Sequence, residues 1–283
     1  MLKPRLRFFF NIILAIFTGC QHLHNSDQEF LFTVIDVGQG LSQMAQLNRS
    51  ALVWDMGPEQ CINEWFNVYT RAGWPRLEAV VISHRDLDHS GGLQFLDSTV
   101  DWSGIIVTSK YEDTSYIRSL CKRWTKKITI RVVCDGDTLG YLPETYIRCI
   151  WPPSDFIDLV PVQSISINRY SLVFHVNFRG TDVLITSDID STAAMSIAGI
   201  YEKSLASDIL VVPHHGSAGS LNRVFIGYTN PEFCIFSCAQ NNQYNHPAEP
   251  VVSFLRTMGA NLRITYLDQS IGFKSNGFYW SEY

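Results

Sequence analysis

Four side chains that commonly bind metal ions stand within one short segment, residues 83–92, which reads SHRDLDHSGG. The segment follows the apolar run EAVVI at 78–82, which is short and rich in β-branched residues, as buried strands are. The side chains therefore stand where a strand ends, and the glycine pair behind them allows a tight turn. Imidazoles and carboxylates crowded in this way are stable when cations neutralise them, so the segment predicts a metal site rather than an ordinary polar turn. The four side chains are those of His84, Asp86, Asp88 and His89.

Metal-type side chains also follow two later apolar runs. Asp188 comes directly after DVLITS at 182–187, and the pair His214-His215 comes directly after DILVVP at 208–213. The same arrangement at three expected strand ends argues against a chance cluster in the first segment.

These motifs resemble the metallo-β-lactamase fold, and within it the branch of soluble domains related to the DNA-uptake protein ComEC. The resemblance implies an α/β protein, specifically a four-layer αββα sandwich with its metal site at one edge between the two sheets. It also implies hydrolysis, most often of phosphodiesters in this branch, although the wider fold hydrolyses amides, thioesters and lactones. The matching segments run in order along nearly the whole chain: DVGQG at 36–40, DMG at 55–57, SHRDLDHSGG at 83–92, NRYSLV at 168–173, TSD at 186–188, HHGS at 214–217 and NQYNHP at 242–247.

On this resemblance, the site is expected to hold two divalent metal ions, Zn or Mn, that activate a hydroxide for attack on phosphorus. His84 and Asp86 are assigned to one ion. Asp88 and His89 are assigned to the other, and Asp188 is expected to bridge the two.

The double histidine leaves one choice open. His214 is the preferred final ligand, with His215 beside it as an outer contact to the ligands or the substrate, and the reverse order is the alternative. The residues expected to take part in catalysis are Asp88, His215 and His246. His246 would contact the substrate or protonate the leaving oxygen, unless it is only a turn residue before Pro247.

Other polar residues of the motifs are expected to support the site. Asp36 and Asp55 would orient the ligands or anchor the sheet edge. Ser217, with the backbone amides of 216–220, would hold a phosphate oxygen.

Two departures from the family pattern bear on the metal. Many members place a further histidine before the bridging aspartate, but this chain has only His175 there, in mid-strand, where a role on the sheet face is favoured. The first ion would then have fewer protein ligands, with help from Asn168. Asp86 stands where histidine is common, and because a carboxylate is a harder donor than an imidazole, this shifts the preference from zinc towards manganese.

The first twenty residues have the pattern of an export signal. Lys3, Arg5 and Arg7 precede an apolar stretch at 8–17, which is too short to span a bilayer as a helix. Small residues then precede Cys20, as in bacterial lipoproteins.

Residues 1–19 are therefore expected to be a lipoprotein-type signal peptide, with Cys20 as the lipid-bearing first residue. Residues 20–29 would be a tether and 30–283 one domain, exported and membrane-anchored, facing the periplasm or the cell surface. Ordinary cleavage, a retained anchor and an uncleaved buried helix are the alternatives.

Six cysteines follow Cys20. In an oxidising compartment an even number is typical of structural thiols or disulfides, and the pairing stays open. Cys234 and Cys238 stand too far apart along one expected strand to bridge each other.

The apolar runs predict an alternation of strands and helices in one ordered domain, which suits 283 residues with 46% hydrophobic and 17% charged content. Strands are expected near 30–36, 51–55, 79–83, 104–108, 128–133, 146–151, 171–178, 182–187, 208–213, 233–238 and 262–267. Helices are expected at 62–72, 91–97, 113–124, 191–204 and 249–258.

Charge constrains the substrate. The formal net charge is −5, and loss of the signal would remove three of the 22 basic residues and none of the 27 acidic ones. A nucleic-acid binder usually carries a basic footprint, and the densest basic patch, within 122–131, is equally well explained as a solvated helix face. The expected substrate is a phosphodiester, either nucleic acid or a small ester or cell-surface polymer. A lactamase- or lactonase-like hydrolase and a non-catalytic binding lipoprotein are the alternatives.

Overall fold

The computed structural model describes residues 28–96, 100–156 and 166–283. The expected signal segment 1–19, Cys20 and most of the expected tether lie outside the described residues. Within the described ranges, no helix combines the length and the apolar content needed to cross a membrane.

Two β-sheets form the centre of the molecule. The larger sheet has eight strands in the order β14-β13-β1-β2-β3-β4-β5-β6, and the smaller has six in the order β12-β11-β10-β9-β8-β7. The strands are β1 Phe30–Val34, β2 Gln43–Leu47, β3 Ser50–Trp54, β4 Arg76–Ile82, β5 Ile105–Ser109, β6 Thr129–Val133, β7 Thr145–Trp151, β8 Val173–Phe178, β9 Thr181–Ile185, β10 Ile209–Val211, β11 Phe233–Phe236, β12 Asn261–Ile264, β13 Ile271–Ser275 and β14 Trp280–Glu282.

Helices cover the outer faces of both sheets. The α-helices of the described residues are α1 Ile62–Arg71, α2 Leu87–Ser90, α3 Thr114–Leu120, α4 Ser191–Tyr201, α5 Arg223–Thr229, α6 Glu249–Thr257 and α7 Thr265–Asp268. Short 3-10 turns occur at Glu59–Cys61, Gly91–Phe95, Ile167–Tyr170, Glu202–Leu205, Pro213–Gly216 and Ala218–Ser220.

The strands are apolar on both faces because each sheet is covered on both sides. In β3, Leu52 and Trp54 face the core between the sheets, whereas Ala51 and Val53 join the core under the outer helices. β10 alternates in the same way, with Leu210 on the outer side. Since successive strand residues point to opposite faces, such runs lack the polar alternation of a half-exposed strand.

The described residues form three apolar cores, one between the sheets and one outside each of them. Helix α1 contributes Trp65 to the core outside the larger sheet. Helices α4 and α5 contribute Ile197 and Phe225 to the core outside the smaller one. This layering confirms the predicted α/β class and the four-layer αββα sandwich.

The structure differs from the sequence prediction in several elements. The segment QMAQL forms strand β2, which the sequence did not predict because Gln43 and Gln46, although polar, are buried there. Strands β13 and β14 and helix α5 were also not predicted. The expected helix at 91–97 is a 3-10 turn over Gly91–Phe95, and the expected strand at 262–267 ends at Ile264, where α7 begins.

The six cysteines of the described residues are all free thiols. Burial raises the pKa of the Cys234 thiol to about 12, which fits the structural role expected of it and leaves it inert at neutral pH.

Candidate metal centre

The site residues stand at the carboxyl ends of parallel strands. Strands β3 and β4 are parallel neighbours in the larger sheet, and β9 and β10 are parallel neighbours in the smaller one. Asp55 follows β3, His84 follows β4 after Ser83, and Asp188 follows β9. Because the carboxyl ends of neighbouring parallel strands lie at one edge, the fold brings these side chains together between the sheets.

The glycines of the first motif allow the backbone to pack closely against the preceding strand end. A Cβ atom on Gly92 would lie 2.3 Å from the carbonyl oxygen of Met56, which is closer than real contacts permit. The nitrogen of Met56 donates to the carbonyl oxygen of His89 at 2.7 Å, and that of Gly92 donates to the oxygen of Gly57 at 2.8 Å. The histidine is therefore held by the loop after β3 as well as by its own helix, α2.

Two overlapping groups of ligand atoms form the centre. The atoms of His84, His89 and Asp188 lie within 4.8 Å of one another, and so do those of Asp88, His89 and His215. Nε2 of His89 is 3.1 Å from Oδ1 of Asp188, and Nε2 of His215 is 3.5 Å from Oδ2 of the same aspartate. The two oxygens of one carboxylate thus face two different histidines, an arrangement suited to two neighbouring cations.

Asp86 lies on the solvent side of the first group. Its Oδ2 is 3.5 Å from Nε2 of His84, and 43% of its side chain is exposed, whereas the histidine is fully buried. The first cation site therefore opens towards solvent through this carboxylate.

The geometry favours the alternative order of the double histidine, with His215 as the candidate ligand. His215 is buried, and its Nε2 lies 3.4 Å from Oδ2 of Asp88. His214 also approaches Asp188, at 3.5 Å, but 29% of its side chain is exposed and it belongs to neither compact group. The backbone turn decides the order, because it directs the second histidine inwards and the first towards the rim.

Three histidines are oriented in the same way, each through its Nδ1 atom. His89 donates from Nδ1 to Oδ2 of Asp55 at 2.8 Å, and His215 donates from Nδ1 to the carbonyl oxygen of Ser237, also at 2.8 Å. The hydroxyl of Ser83 donates to Asp55 at 2.8 Å and accepts from Nδ1 of His84 at 2.9 Å. A proton held on Nδ1 leaves the Nε2 lone pair of each ring free to bind a metal.

Asp55 organises the larger-sheet side of the centre from a fully buried position. Its Oδ1 accepts from the backbone nitrogen of Ser83 at 2.8 Å, and its Oδ2 also accepts from the hydroxyl of Ser187 at 3.4 Å. The role expected from the sequence, orienting ligands from behind, fits these contacts.

The residues around the centre adopt unusual backbone conformations. Asp55, Ser187, His214 and His215 all have positive φ, with values of 56°, 45°, 52° and 56°. For residues other than glycine this region costs of the order of 1 kcal/mol or more each. The hydrogen bonds around the four residues stabilise conformations that the residues would not adopt alone.

Neighbouring groups stabilise the charged forms of Asp188, His89 and His215. Burial opposes ionisation of Asp188, but His215 and His89 hold its pKa well below the usual range. Burial lowers the pKa of His89, yet Asp188 and Asp55 raise it well above the ordinary histidine value. For His215, burial is likewise outweighed by Asp188 and Asp88, which raise the pKa to about 9.

The donor set fits divalent metal ions. Buried atoms that hydrogen-bond to nothing in the described residues include Nε2 of His84, His89 and His215 and Oδ1 of Asp188. Buried polar atoms without partners are costly. Four of them that converge in one place indicate a bound cation, which would accept their lone pairs. Imidazole nitrogens and carboxylate oxygens are ligands of zinc and of manganese, so the fit does not separate the two metals.

Of the supporting residues expected from the sequence, Asn168 contacts a histidine of the centre, whereas Asp36 and Ser217 hydrogen-bond to the backbone of their own turns. Asn168 reaches the centre's rim, where its amide nitrogen lies 3.3 Å from Nε2 of His214. Asp36 accepts from the backbone of Gly38 at 3.2 Å, so it shapes the turn after β1. Ser217 accepts from the nitrogen of Gly219 at 3.2 Å.

His175 contacts a different residue from the expected ligands. Its Nε2 lies 3.2 Å from Oδ1 of Asp182 on the neighbouring strand, with 23% of each side chain exposed. This is the sheet-face position expected for it.

A cleft of about 810 Å³ opens over the metal centre. Its lining includes Asp86, Asp88, His214 and His246. Burial and the nearby His215 and His214 lower the pKa of His246 to about 4. This ring is therefore neutral at pH 7, which favours contact with a substrate over donation of a proton.

Sequence reasoning missed three residues that position others. The hydroxyl of Ser83 links Asp55 to His84 through hydrogen bonds. The carbonyl of Ser237 orients His215, and Asn242 holds the loop that carries His246. Ser83 had a visible signal, since it is a polar residue at the end of an apolar run and directly precedes the first ligand. Ser237 and Asn242 act through long-range or loop contacts that sequence spacing does not reveal.

The chain is similar in sequence to a competence protein and to a ComE operon protein. It is 30% identical to the competence protein ComA of Neisseria gonorrhoeae over 96% of this chain and 37% of that protein. It is 24% identical to ComE operon protein 3 of Bacillus subtilis over 71% of this chain and 25% of that protein. The chain thus spans only about a quarter to two fifths of the length of these relatives. No protein-family model matches it.

Solved structures of low sequence identity share the fold. The metallo-β-lactamase fold protein YhfI from Bacillus subtilis superposes with a TM-score of 0.57 at 14% identity, over 87% of this chain and all of that one. At this identity the likeness concerns the fold, and it agrees with the four layers and the strand-end site described above.

Proposed function

We propose that this chain, which has the metallo-β-lactamase fold and resembles the ComEC-like competence proteins in sequence, is a metal-dependent phosphodiesterase. One observation carries the proposal: three histidines are fixed through Nδ1 so that their buried Nε2 atoms converge on the carboxylate of Asp188 without hydrogen-bond partners. A binding module has no physical need for such an arrangement, whereas a hydrolase that uses metal ions does.

Two divalent ions are the proposed cofactor. When bound, such ions lower the pKa of water and take up charge on phosphoryl oxygens. One ion would be held by His84, Asp86 and Asp188, and the other by Asp88, His215 and the second oxygen of Asp188. His89 belongs to both groups of ligand atoms.

The protein's own contribution is to hold these ligands in place with their Nε2 atoms directed into the centre. Asp55 keeps the Nδ1 proton of His89 in place, so the opposite nitrogen is directed into the centre. The carbonyl of Ser237 does the same for His215.

The rim residues are proposed to contact the substrate. An amide nitrogen is a donor, so the contact with Asn168 makes Nε2 of His214 an acceptor and leaves the proton on its Nδ1. His246 lines the same cleft, and its Nδ1 is a buried atom without a hydrogen-bond partner among the described residues. Both rings are suited to hydrogen-bonding a phosphodiester above the metal centre.

Phosphodiesters are favoured over other esters by the sequence resemblance. One matched relative is named a competence protein, and another similar protein is named recombination protein 2. Recombination acts on DNA, which is a phosphodiester polymer.

We further propose, from the sequence alone, that residues 1–19 direct export and that Cys20 carries a lipid. Metabolic labelling with a fatty acid should mark the wild-type protein and not Cys20→Ala. If neither protein is labelled, Cys20 carries no lipid, and ordinary cleavage or a retained anchor replaces the proposed lipidation.

Hydrolysis of bis(p-nitrophenyl) phosphate by the full chain, with Mn²⁺ or Zn²⁺ added, tests the catalytic proposal. Asp188→Asn should abolish turnover, since it removes the carboxylate charge that faces both His89 and His215, while Asp101→Asn, a matched change at an exposed aspartate, should not. Circular dichroism would verify that both variants are folded. Full activity of Asp188→Asn, or turnover of nitrocefin without any phosphodiester turnover, would overturn the proposal.

A further inference from the structure

A stack of three rings leads from the metal centre to solvent. The ring of His246 lies 6.1 Å from that of His215, with 23° between the planes. The ring of Tyr244 lies 5.6 Å from that of His246, with 25° between the planes. Tyr244 is 56% exposed and lines the cleft, so one face of the stack ends in an aromatic side chain open to a ligand.

Asn242 fixes the loop that carries the outer two rings. Its Oδ1 accepts from the nitrogens of Tyr244 and His246, at 3.1 and 2.9 Å. Its Nδ2 donates to the carbonyl oxygens of Ala239 and His246, at 2.8 and 2.6 Å. Both N–H groups and both lone pairs of the amide oxygen are thus used within the loop, so the backbone that carries Tyr244 is fixed by four hydrogen bonds.

The loop is also tied to both ends of the metal centre. The nitrogen of Ala239 donates to Oε1 of Gln39 in the turn after β1, at 3.3 Å. The nitrogen of Ala248 donates to the oxygen of Gly216, directly after the double histidine, at 2.9 Å. Tyr244 is therefore placed relative to the ligands rather than free to move with a surface loop.

The charge of the cleft restricts what can lie beside that ring. Among the described residues that line it, four are carboxylates, Glu59, Asp86, Asp88 and Asp188, and none is lysine or arginine. Divalent ions in the centre would offset the three aspartates and a single phosphate. Further phosphates along a polymer would meet no basic side chain among the described residues that line the cleft and would be repelled by Glu59.

We infer that Tyr244 is the platform on which the cleft binds a flat, uncharged ring next to the scissile phosphate, and that the substrate is a compact phosphodiester rather than a run of phosphates. The inference rests on the proposed function and names its substrate class. Stacking of a base on an aromatic side chain is sequence-tolerant and needs no basic groups. A cleft of about 810 Å³ has room for a ligand of this size.

Two chromogenic esters with the same leaving group and charge test the platform. Thymidine 5′-(p-nitrophenyl phosphate) carries the ring, and ethyl p-nitrophenyl phosphate does not. For Tyr244→Ala, the ratio of kcat/KM between the thymidine and the ethyl ester should fall about ten-fold, in line with the usual contribution of one stacked base. Tyr244→Phe keeps the ring and should keep the ratio, as should Tyr279→Ala, a matched change at an exposed tyrosine near the C-terminus.

Binding separates this inference from the proposed function. Thymidine 5′-monophosphate, titrated calorimetrically into the Mn²⁺-loaded protein, should bind about ten-fold more weakly to Tyr244→Ala than to Tyr244→Phe, whether or not any ester is hydrolysed. If the wild type turns over neither ester but shows this difference in binding, the proposed function fails and the platform stands. An unchanged ester ratio in an active Tyr244→Ala enzyme would overturn the platform. Oligothymidylate of eight residues binding at least about ten-fold tighter than the mononucleotide would overturn the compact-substrate inference.

Discussion

Oδ2 of Asp55 lies 2.8 Å from Nδ1 of His89, and both side chains are completely buried. The carboxylate therefore sets the ring's orientation and its tautomer from the side opposite the metal centre. This one contact joins the end of β3 to the ligand motif that follows β4, and it shows how the sheet edge positions the site.

Asp55→Asn should weaken metal binding by about 10- to 100-fold, the usual effect of removing a carboxylate behind a histidine ligand. The amide keeps the shape of the carboxylate but removes its charge and its clear preference for accepting from Nδ1. Calorimetric titration with Zn²⁺ measures the affinity. Asp182→Asn is the matched control, because Asp182 pairs with His175 on the sheet face. Equal affinities of the two variants would contradict the role given to Asp55.

Metal binding should release protons at neutral pH. The pKa of His215 is raised to about 9 without metal by Asp188 and Asp88, against burial, so the ring is protonated at pH 7 and must lose its proton to bind. Apparent affinity should thus rise with pH up to about 9, as expected where ligands must deprotonate. Titrations in buffers of different ionisation enthalpy count the protons. Release that stays constant from pH 7 to pH 10 would rule out this coupling.

Asn242→Ala should impair substrate binding while leaving the metal centre loaded. The substitution removes four hydrogen bonds within the loop of Tyr244 and His246, but none to a proposed ligand. We expect a rise in KM of about ten-fold with unchanged metal content. Asn63→Ala, at an exposed position of α1, is the control. A loss of bound metal in Asn242→Ala would mean that the loop supports the centre itself.

Gly92→Ala should destabilise the fold by about 3 kcal/mol, because its Cβ would meet the carbonyl of Met56 at 2.3 Å. Gly140→Ala is the matched control, since nothing lies within 4 Å of a Cβ there. Urea denaturation compares the two. Equal midpoints would show that the loop after β3 can retreat at little cost.

The sequence predicted strands β3, β4, β9 and β10 because they are buried on both faces and so appear as short apolar runs, whereas the four-layer sandwich was implied by the family resemblance. The prediction failed where burial is not reflected in hydrophobicity. Gln43 and Gln46 lie inside β2, and the sequence pattern there suggested no strand. Helix α5 carries the apolar stretch VFIGY, whose few residues are too short for a clear helical period.

The cluster of candidate ligands at strand ends was predictable because residue type and position both pointed to it. The order of His214 and His215 was not, since adjacent residues differ only in the direction that the turn gives them. Both have positive φ, a conformation that the sequence does not specify for histidine. The contacts of Ser237 and Asn242 depend on how the loops fold over the sheet edge.

Metal content per chain tests the central claim most directly. After exhaustive dialysis and reloading with Zn²⁺ or Mn²⁺, the wild type should hold two ions, His215→Ala one, and His214→Ala two, because only His215 belongs to a compact ligand group. Failure of the folded wild type to retain any ion, or a loss confined to His214→Ala, would contradict the centre described here.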